Sequence, residues 1–350
     1  MNRKIIKMEF SGATAKIFGN FDCNARLIEQ TFSVTLRNRE SGSGDSIIID
    51  GEDLRAVEAS AQCIEYLHGL TEKTDEITEQ TVQYAIDMVR SGDGSSLAEL
   101  GDECICVTVR GKPIKPKTVG QKQYVESIRK NTIVLGVGPA GTGKTFLAVA
   151  MAVKALRQKQ VNRIILTRPA IEAGEKLGFL PGDLQSKIDP YLRPLYDALY
   201  EMMGTENYQK LVEKGTIEIA PLAYMRGRTL DDSFIILDEA QNATPEQMKM
   251  FLTRLGFNSK AVVTGDITQT DLPRGQKSGL ASAVKILSGI EDIGIHYFSE
   301  RDVVRHRLVQ KIILAYEKHD RELARREHER SAAQKYRIES KTEKAKGEAK

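Results

Sequence analysis

Hydrophobic and polar residues alternate along the first fifty residues of the chain. The alternation runs through IIKMEF, AKIFG, SVTLR and SIIID, and the loop NRESGSGD between the last two is rich in turn residues. Alternation with a period of two is typical of strands with one buried face. Each of these segments is therefore predicted to be a strand, the last two as a hairpin.

Three longer segments have helical spacing of their apolar positions: CNARLIEQTF, DLRAVEASAQCIEYLHG and EITEQTVQYAIDMVRSG. We expect Asp53 to cap the second of these helices and Gly69 to end it, because acids are preferred at helix starts and glycine at helix ends. Residues 1–92 are predicted to form a small α/β domain that contains the element order β-α-β-β-α.

Short apolar runs alternate with helical stretches from residue 121 to residue 316. The runs are TIVLGVG, RIILTR, TIEIAP, SFIILDE, AVVTGD and IGIHYF. Such runs between helices indicate a mostly parallel sheet covered on both faces, so this part is predicted to be a larger α/β domain. Residues 93–120 form the predicted linker. Residues 317–350, in which Lys and Arg alternate with Glu, are predicted to be a charged tail.

The composition is that of an ordinary soluble protein. The 350 residues are 41% hydrophobic and 28% charged. The net charge of +3 is small for this length, so the overall electrostatic field of the protein does not indicate nucleic-acid binding. The four cysteines lack the spacing of a zinc site, and no apolar stretch has the length of a signal peptide or a membrane span. A cytoplasmic protein without a membrane partner is predicted.

The stretch GPAGTGKT at 138–145 has the pattern of a phosphate-binding loop. The residues concerned are Gly138, Pro139, Ala140, Gly141, Thr142, Gly143, Lys144 and Thr145. An apolar run precedes the stretch and a helical segment follows it, which argues against a glycine-rich turn that matches by chance. Backbone N–H groups of such a loop face a bound phosphate, Lys144 is expected to reach the β- and γ-phosphates of ATP, and Thr145 to hold Mg²⁺.

Two adjacent carboxylates, Asp238 and Glu239, end the apolar run SFIILDE. Adjacent acids repel one another and are costly to desolvate, so they suggest a cation. We expect this strand to lie beside the phosphate-loop strand, with Asp238 on Mg²⁺ and Glu239 polarising the water that attacks the γ-phosphate. The alternative is that the two acids cap the next helix.

A third polar segment follows the strand AVVTGD. Gln269 stands three residues beyond Asp266 in GDITQTDLP. A neutral amide at this place can sense whether a γ-phosphate is present. The alternative is a polar turn after a strand.

The front domain resembles a KH-type RNA-binding module. In such modules a glycine-containing loop before a helix clamps the nucleic-acid backbone. Gly19-Asn20-Phe21-Asp22 stands in that place here, but it lacks a second glycine and carries an acid. These departures favour a protein-docking or structural role over RNA binding.

Taken together, GPAGTGKT, DEAQN and GDITQTDLP are similar to the first three motifs of superfamily-1 helicases. Further stretches, TRPAIEAGEKLGFLPGD, PLAYMRGRTL and RDVVRH, resemble the PhoH family of bacterial ATPases over residues 110–316. The resemblance implies a RecA-like phosphate-loop NTPase sheet preceded by a KH-like domain. It also implies that Gln121 reads adenine, with helix-start chemistry as the alternative. Arg168 falls where helicases first contact nucleic acid, or it pairs with Glu172 or Glu175.

The family resemblance implies ATP hydrolysis coupled to RNA metabolism. Expected partners are single-stranded RNA and an endoribonuclease or a ribosome-maturation protein, with a link to phosphate starvation. Only about 34 residues follow residue 316, too few for the second motor lobe of a helicase. We therefore expect a homo-hexameric ring in which each subunit lends its neighbour an arginine, worth about 10³–10⁵ in rate. The candidates are Arg226, Arg228, Arg274, Arg301, Arg305 and Arg307, with Arg305 favoured.

Two other functions remain open at this stage. A kinase can be built on the same loop, although Glu239 beside Asp238 suits attack by water better. A nucleotide-dependent switch or scaffold with slow turnover is the other alternative. The sequence does not decide between ATP and GTP.

Overall fold

The computed structural model describes residues 1–9, 12–41, 44–72, 76–99, 104–169, 184–273 and 275–304, together with Leu308, Val309, Ile312 and Ala315. Residues 1–304 form one unit and residues 305–350 another. The predicted tail lies outside the described residues.

The described part of the first ninety residues contains a three-stranded antiparallel sheet and four α-helices. Their elements are β1 (Asn2–Lys7), α1 (Ala13–Phe18), α2 (Cys23–Phe32), β2 (Val34–Ser41), β3 (Gly44–Gly51), α3 (Leu54–Thr71) and α4 (Glu79–Arg90). The strand order is β1-β3-β2, so the hairpin β2–β3 places its second strand in the middle. The hairpin and the three predicted helices are confirmed.

Two local predictions are wrong. AKIFG lies mainly in helix α1, because Ala13 and Ile17 are spaced by one helical turn and both are fully buried. Helix α3 also runs through Gly69 to Thr71. A mid-helix glycine costs about 1 kcal/mol, and the burial of Thr71 on the same face as Leu67 offsets it. The observed order is therefore β-α-α-β-β-α-α.

The small sheet has its own hydrophobic core and a buried carboxylate that is paired with two partly exposed arginines. Ile17, Ile47 and Ile64 are fully buried in that core. Asp50 of β3 is also buried, and its carboxylate accepts hydrogen bonds from Arg3 (2.6 Å) and Arg37. These hydrogen bonds, to Arg3 first and then Arg37, hold the pKa of Asp50 below its usual value.

The segment predicted as a linker packs against the larger part of the molecule. It contains the short strands β4 (Cys106–Val107) and β5 (Pro113–Ile114), which pair antiparallel. Ile105 and Ile114 are buried in the same core as the following α/β part. The division into domains at residues 92 and 120 stays a prediction.

The remaining described residues form a six-stranded, all-parallel sheet with helices. The elements are α5 (Val119–Lys130), β6 (Ile133–Val137), α6 (Lys144–Arg157), β7 (Arg163–Arg168), α7 (Leu184–Met203), α8 (Thr205–Glu213), β8 (Ile217–Pro221), β9 (Ser233–Leu237), α9 (Pro245–Leu252), β10 (Lys260–Gly265), α10 (Gly279–Leu287) and β11 (Ile293–Tyr297). All six predicted strands are present, and the predicted α/β class with a parallel sheet covered by helices is confirmed.

The strand order corrects one prediction about the site. The order is β11-β6-β10-β9-β7-β8, so β9 does not lie beside the phosphate-loop strand β6. Strand β10 separates them, pairing in parallel with both. Both faces of the sheet are buried. Consecutive residues of a strand point to opposite faces, and Val134 and Leu135 of β6 belong to two different hydrophobic clusters. Among the described residues, no helix has the length and apolar character that crossing a membrane requires.

Candidate nucleotide site

The phosphate-loop sequence joins β6 to α6 in the structure, as the motif requires. Gly141 and Gly143 have φ values of 87° and 80°, in the left-handed region that glycine adopts without strain. A cavity of about 240 Å³ opens against the loop and the first turn of α6. Ligand pockets for whole small molecules occupy roughly 300–1,000 Å³, so this cavity suits the phosphate tail of a nucleotide.

Lys144 is the first residue of α6 and is nine-tenths buried. Its Nζ donates to the carbonyl oxygens of Gly138 (2.7 Å) and Pro139 (2.8 Å). The ammonium group therefore lies over the phosphate loop, held by two carbonyl dipoles. It lines the cavity from there, where it can exchange a carbonyl for a phosphate oxygen.

Asp238 and two threonines form the polar corner of the cavity. Asp238 Oδ1 accepts hydrogen bonds from Thr145 Oγ1 (2.6 Å) and from Thr264 Oγ1 (2.8 Å). Thr264 lies on the intervening strand β10 and is fully buried. It contributes to this corner although the sequence analysis did not select it; the only signal was its place one residue before the Gly-Asp pair.

This corner fits a magnesium ion. Mg²⁺ prefers oxygen ligands and is usually bound by one or two protein groups together with waters and substrate phosphates. The Thr145 hydroxyl and the Asp238 carboxylate are in mutual contact and both line the cavity. No group of three or more potential metal ligands (His, Cys, Asp or Glu) occurs among the described residues, so a cation here depends on the phosphates as well.

Glu239 lies beside this corner with a strained backbone. Its φ is 51°, which is uncommon for a residue with a side chain. Oε1 pairs with Arg168 Nη2 at 3.1 Å, and Oε2 accepts from Gln241 Nε2 at 2.5 Å. Neither sequence hypothesis for Arg168 named this partner. Glu172 and Glu175 lie outside the described residues.

The two amides after Glu239 connect β9 to the segment that follows β10. Gln241 Oε1 accepts from the backbone N–H of Asp266 at 3.0 Å. Asn242 Oδ1 accepts from the N–H of Asp271 (2.8 Å), and its Nδ2 donates to that carboxylate (3.2 Å). The sequence DEAQN therefore joins two strand ends as well as supplying the acids.

The capping alternative for the two acids is wrong, because Glu239 stands at the N-cap of the short 3-10 helix Ala240–Asn242 but its side chain makes no capping hydrogen bond there. Helix α9 begins at Pro245, and its N-cap is Thr244, whose hydroxyl accepts from the backbone N–H of Gln247. Gln247 in turn accepts from the N–H of Thr244, so the helix start is satisfied without Asp238 or Glu239.

Asp266 and Gln269 line the same cavity from the loop after β10. Asp266 is buried, and its Oδ1 accepts from the N–H (3.0 Å) and the hydroxyl (2.6 Å) of Thr268. Its Oδ2 has no hydrogen-bond partner among the described residues. A buried carboxylate oxygen in this state suits a bound water or cation. Gln269 is placed where a γ-phosphate sensor is expected, and that role stays a prediction.

Gln121 lies near the phosphate loop but is engaged with the protein. Its Nε2 donates to the carbonyl of Thr142 (3.0 Å), and its Oε1 accepts from the N–H of Lys117 (2.6 Å). Its own N–H donates to Thr118, the N-cap of α5. Helix-start chemistry is therefore observed, and adenine recognition by Gln121 stays a prediction.

The chain after β11 supports the phosphate loop from outside. The N–H of Phe298 donates to Val137 O (2.7 Å), and that of Val304 to Gly141 O (2.9 Å). A Cβ on Gly138 would lie 2.6 Å from Phe298 Cβ, so this position accepts only glycine. These contacts give the stretch RDVVRH a structural link to the loop.

The candidate arginines divide into three groups. Arg228 forms a two-pronged pair with Glu218 (2.5 and 2.7 Å), and Arg301 pairs with Asp93 at 2.7 Å. Arg226 is exposed. The rest, Arg274, Arg305 and Arg307, lie outside the described residues, so the preference for Arg305 is untested.

Comparison with known proteins agrees with the geometry. The family model described as PhoH-like protein matches residues 113–317. The chain is also 50% identical over 312 residues to a PhoH-like protein of Bacillus subtilis (strain 168), covering 89% of this chain and 96% of that one. This chain belongs to the PhoH family. It has the phosphate loop and sheet of a nucleotide-binding ATPase.

Other PhoH proteins match over different lengths. A PhoH-like protein of Mycobacterium tuberculosis (strain ATCC 25618 / H37Rv) is 55% identical over 304 residues, 87% of this chain and 85% of that one. Protein PhoH of Escherichia coli (strain K12) is 48% identical over 206 residues, 58% of each chain. Among solved structures, the Pyrococcus furiosus Hef helicase domain matches 53% of this chain and 38% of its own, with 17% identity and a TM-score of 0.33. Values this low support no conclusion about activity.

Proposed function

We propose that this chain is a Mg²⁺-dependent ATPase that couples hydrolysis to work on RNA. The observation that carries the proposal is the polar corner, where Asp238 Oδ1 accepts from the phosphate-loop residue Thr145 and from Thr264 of β10. Three separate parts of the chain meet there, beside a cavity of the size of a phosphate tail.

Each residue of the corner has a role in the proposal. Lys144 moves from its two carbonyl partners to the β- and γ-phosphates of ATP. Thr145 and Asp238 hold Mg²⁺, which neutralises charge that develops on the phosphates. Glu239 accepts a proton from the attacking water, and Gln269 contacts the γ-phosphate.

The coupling to RNA has weaker support. Gly19–Asp22 forms a turn between α1 and α2, and the side chain of Phe21 in it is 94% exposed. An exposed aromatic ring can stack on an unpaired base. Against this, the loop carries Asp22 rather than a second glycine, so a protein contact remains the competing use. An endoribonuclease or a ribosome-maturation protein as partner, and a cytoplasmic location, complete the proposal.

A homo-hexameric ring supplies the remaining catalytic part in this proposal. A further cation on the γ-phosphate, besides Lys144 and Mg²⁺, speeds hydrolysis by about 10³–10⁵. Arg228 and Arg301 are engaged with acids of their own chain. A neighbouring subunit that donates Arg305 would complete the site, and mass measurement of the protein with and without ATP tests for the ring.

Nucleotide binding and phosphate release test the proposed activity. Lys144→Ala is expected to lose nucleotide binding, because it removes the charge that contacts two phosphates. Glu239→Gln is expected to bind ATP normally and to stop turnover. Stimulation of wild-type phosphate release by single-stranded RNA supports the coupling; retained hydrolysis in Glu239→Gln would falsify the assignment of the base.

A slow nucleotide switch is the second candidate, and one observation favours it. Both oxygens of Glu239 have partners within the protein, on Arg168 and Gln241. A base held in this way gives slow turnover until a partner releases it. Tight ATP binding with negligible phosphate release in the presence of RNA supports this candidate over the first.

A further inference from the structure

Glu239 is held at both carboxylate oxygens by side chains from different elements. Arg168 ends β7, two strands from β10, and Gln241 follows Glu239 in the turn after β9. The contacts are 3.1 Å and 2.5 Å long, and both are charge-assisted, which makes them stronger than neutral hydrogen bonds. The carboxylate is nevertheless only partly buried and lines the cavity.

A general base needs an oxygen that is available to the attacking water at hydrogen-bond distance. In the observed arrangement, each oxygen of Glu239 already contacts one donor of a protein side chain, which fixes the carboxylate and occupies one of the two lone-pair sites on each oxygen. The backbone of Glu239 also has a φ of 51°, a strained conformation of a kind that clusters at active sites and switch regions. These observations describe a resting orientation rather than a working one.

We propose that Arg168 and Gln241 are positioning residues that hold Glu239 in a resting orientation, so that hydrolysis requires the Arg168–Glu239 contact to open. This inference rests on the proposed ATPase function and adds its regulation. Arg168 does not touch the phosphates in this account; it acts on turnover only through Glu239.

Gln241 connects this contact to the nucleotide. Its Oε1 accepts from the N–H of Asp266 while its Nε2 donates to Glu239. Gln269, three residues beyond Asp266, lines the cavity where the γ-phosphate is expected. A shift of the segment 266–271 on ATP binding would therefore displace the side-chain amide of Gln241, which also donates to Glu239. Release of the base is in this way tied to the presence of the terminal phosphate.

The test compares ATP turnover and ATP binding in wild type, Arg168→Ala and Arg168→Gln. Removing the guanidinium frees one oxygen of Glu239, so kcat measured without any partner protein is expected to rise about twofold to fivefold. This range corresponds to the strength of an ion pair that is partly exposed to water. The Kd for ATP and the KM are expected to stay unchanged. A residue with a merely structural role would not raise kcat.

Two controls make the result specific. Arg163→Ala removes an arginine from the opposite end of the same strand, where it donates to the backbone of Asp231, and it is expected to leave kcat unchanged. Combining Arg168→Ala with Glu239→Gln is expected to abolish turnover, because the gain passes through Glu239. Melting curves of all variants show whether they fold.

Each outcome decides a different question. A kcat in folded Arg168→Ala or Arg168→Gln that equals or falls below that of wild type overturns the resting-state inference, while wild-type hydrolysis keeps the proposed function. ATP binding without phosphate release in every variant overturns the proposed hydrolysis itself. An increase in kcat that persists with Glu239→Gln shows that Arg168 does not act through this acid and also contradicts the inference.

Discussion

The hydroxyl of Thr264 provides a quantitative test of the polar corner. It donates to Asp238 Oδ1 at 2.8 Å in a fully buried site. A hydrogen bond to a charged group contributes about 1.5–3 kcal/mol net, and the methyl group of valine recovers part of that loss in an apolar surrounding. Thr264→Val is therefore expected to lower the free energy of unfolding by about 1–2 kcal/mol.

Thr167 offers a matched control on strand β7, which lies two strands from β10 in the same sheet. It is also fully buried, but its hydroxyl has no hydrogen-bond partner among the described residues. Thr167→Val removes an unsatisfied polar group without changing the shape, so it is expected to be neutral or stabilising. Urea unfolding of the nucleotide-free protein measures both variants. Equal losses of stability in Thr264→Val and Thr167→Val would refute the importance of the bond to Asp238.

Three further predictions follow from individual contacts. Gly138→Ala is expected to abolish ATP binding, measured by calorimetry, because the new Cβ would lie 2.6 Å from a carbon of Phe298; normal affinity would show that the loop tolerates it. Tyr84→Phe is expected to reduce the free energy of unfolding in urea by about 1–2 kcal/mol, since it removes the hydroxyl that accepts from the buried N–H of Val119 at 2.8 Å; an unchanged unfolding curve would contradict this. The pKa of Asp50 is lowered in the folded chain, so its ionised form stabilises above the unfolded pKa of about 4, and this contribution is lost as the pH falls through the lower folded value. Asp50→Asn is therefore expected to be less stable than wild type at pH 7, with a difference in urea midpoint that shrinks below about pH 4; a constant difference would count against it.

The large-scale fold could be predicted because its signals are local. Each strand of the parallel sheet is a short apolar run between helices, and burial on both faces makes such runs continuous. The phosphate loop could also be predicted from the sequence, because a loop that surrounds a phosphate requires glycines and a lysine at set positions, and Lys144 is that lysine. The structure brings Lys144, Thr145, Asp238, Glu239 and Gln269 to one cavity.

The order of strands was not readable in the same way. β9 was expected beside β6, but hydrophobic patterns do not record which parallel strands are neighbours. Thr264 was missed for the same reason, since its importance arises only when β10 lies between the other two strands. AKIFG was misassigned because five residues are compatible with both periods until the burial of Ala13 and Ile17 is known.

The contacts of Arg168 and the two amides of DEAQN are the largest part that the sequence analysis missed. The predicted partners of Arg168 are nucleic acid, Glu172 or Glu175, and these stay predictions, but the sequence does not suggest the observed contact with Glu239, 71 positions away. Pairings between strand ends depend on sheet order. A sequence motif therefore identifies the acid but does not show which side chains hold it.

A structure with a non-cleavable ATP analogue and Mg²⁺ bound decides whether the cavity beside the phosphate loop is the nucleotide site. We expect the phosphate tail in that cavity, with Lys144 Nζ on phosphate oxygens and the cation beside Thr145 Oγ1 and Asp238. An analogue bound elsewhere, with this cavity empty and Lys144 still on the carbonyls of Gly138 and Pro139, would contradict this expectation.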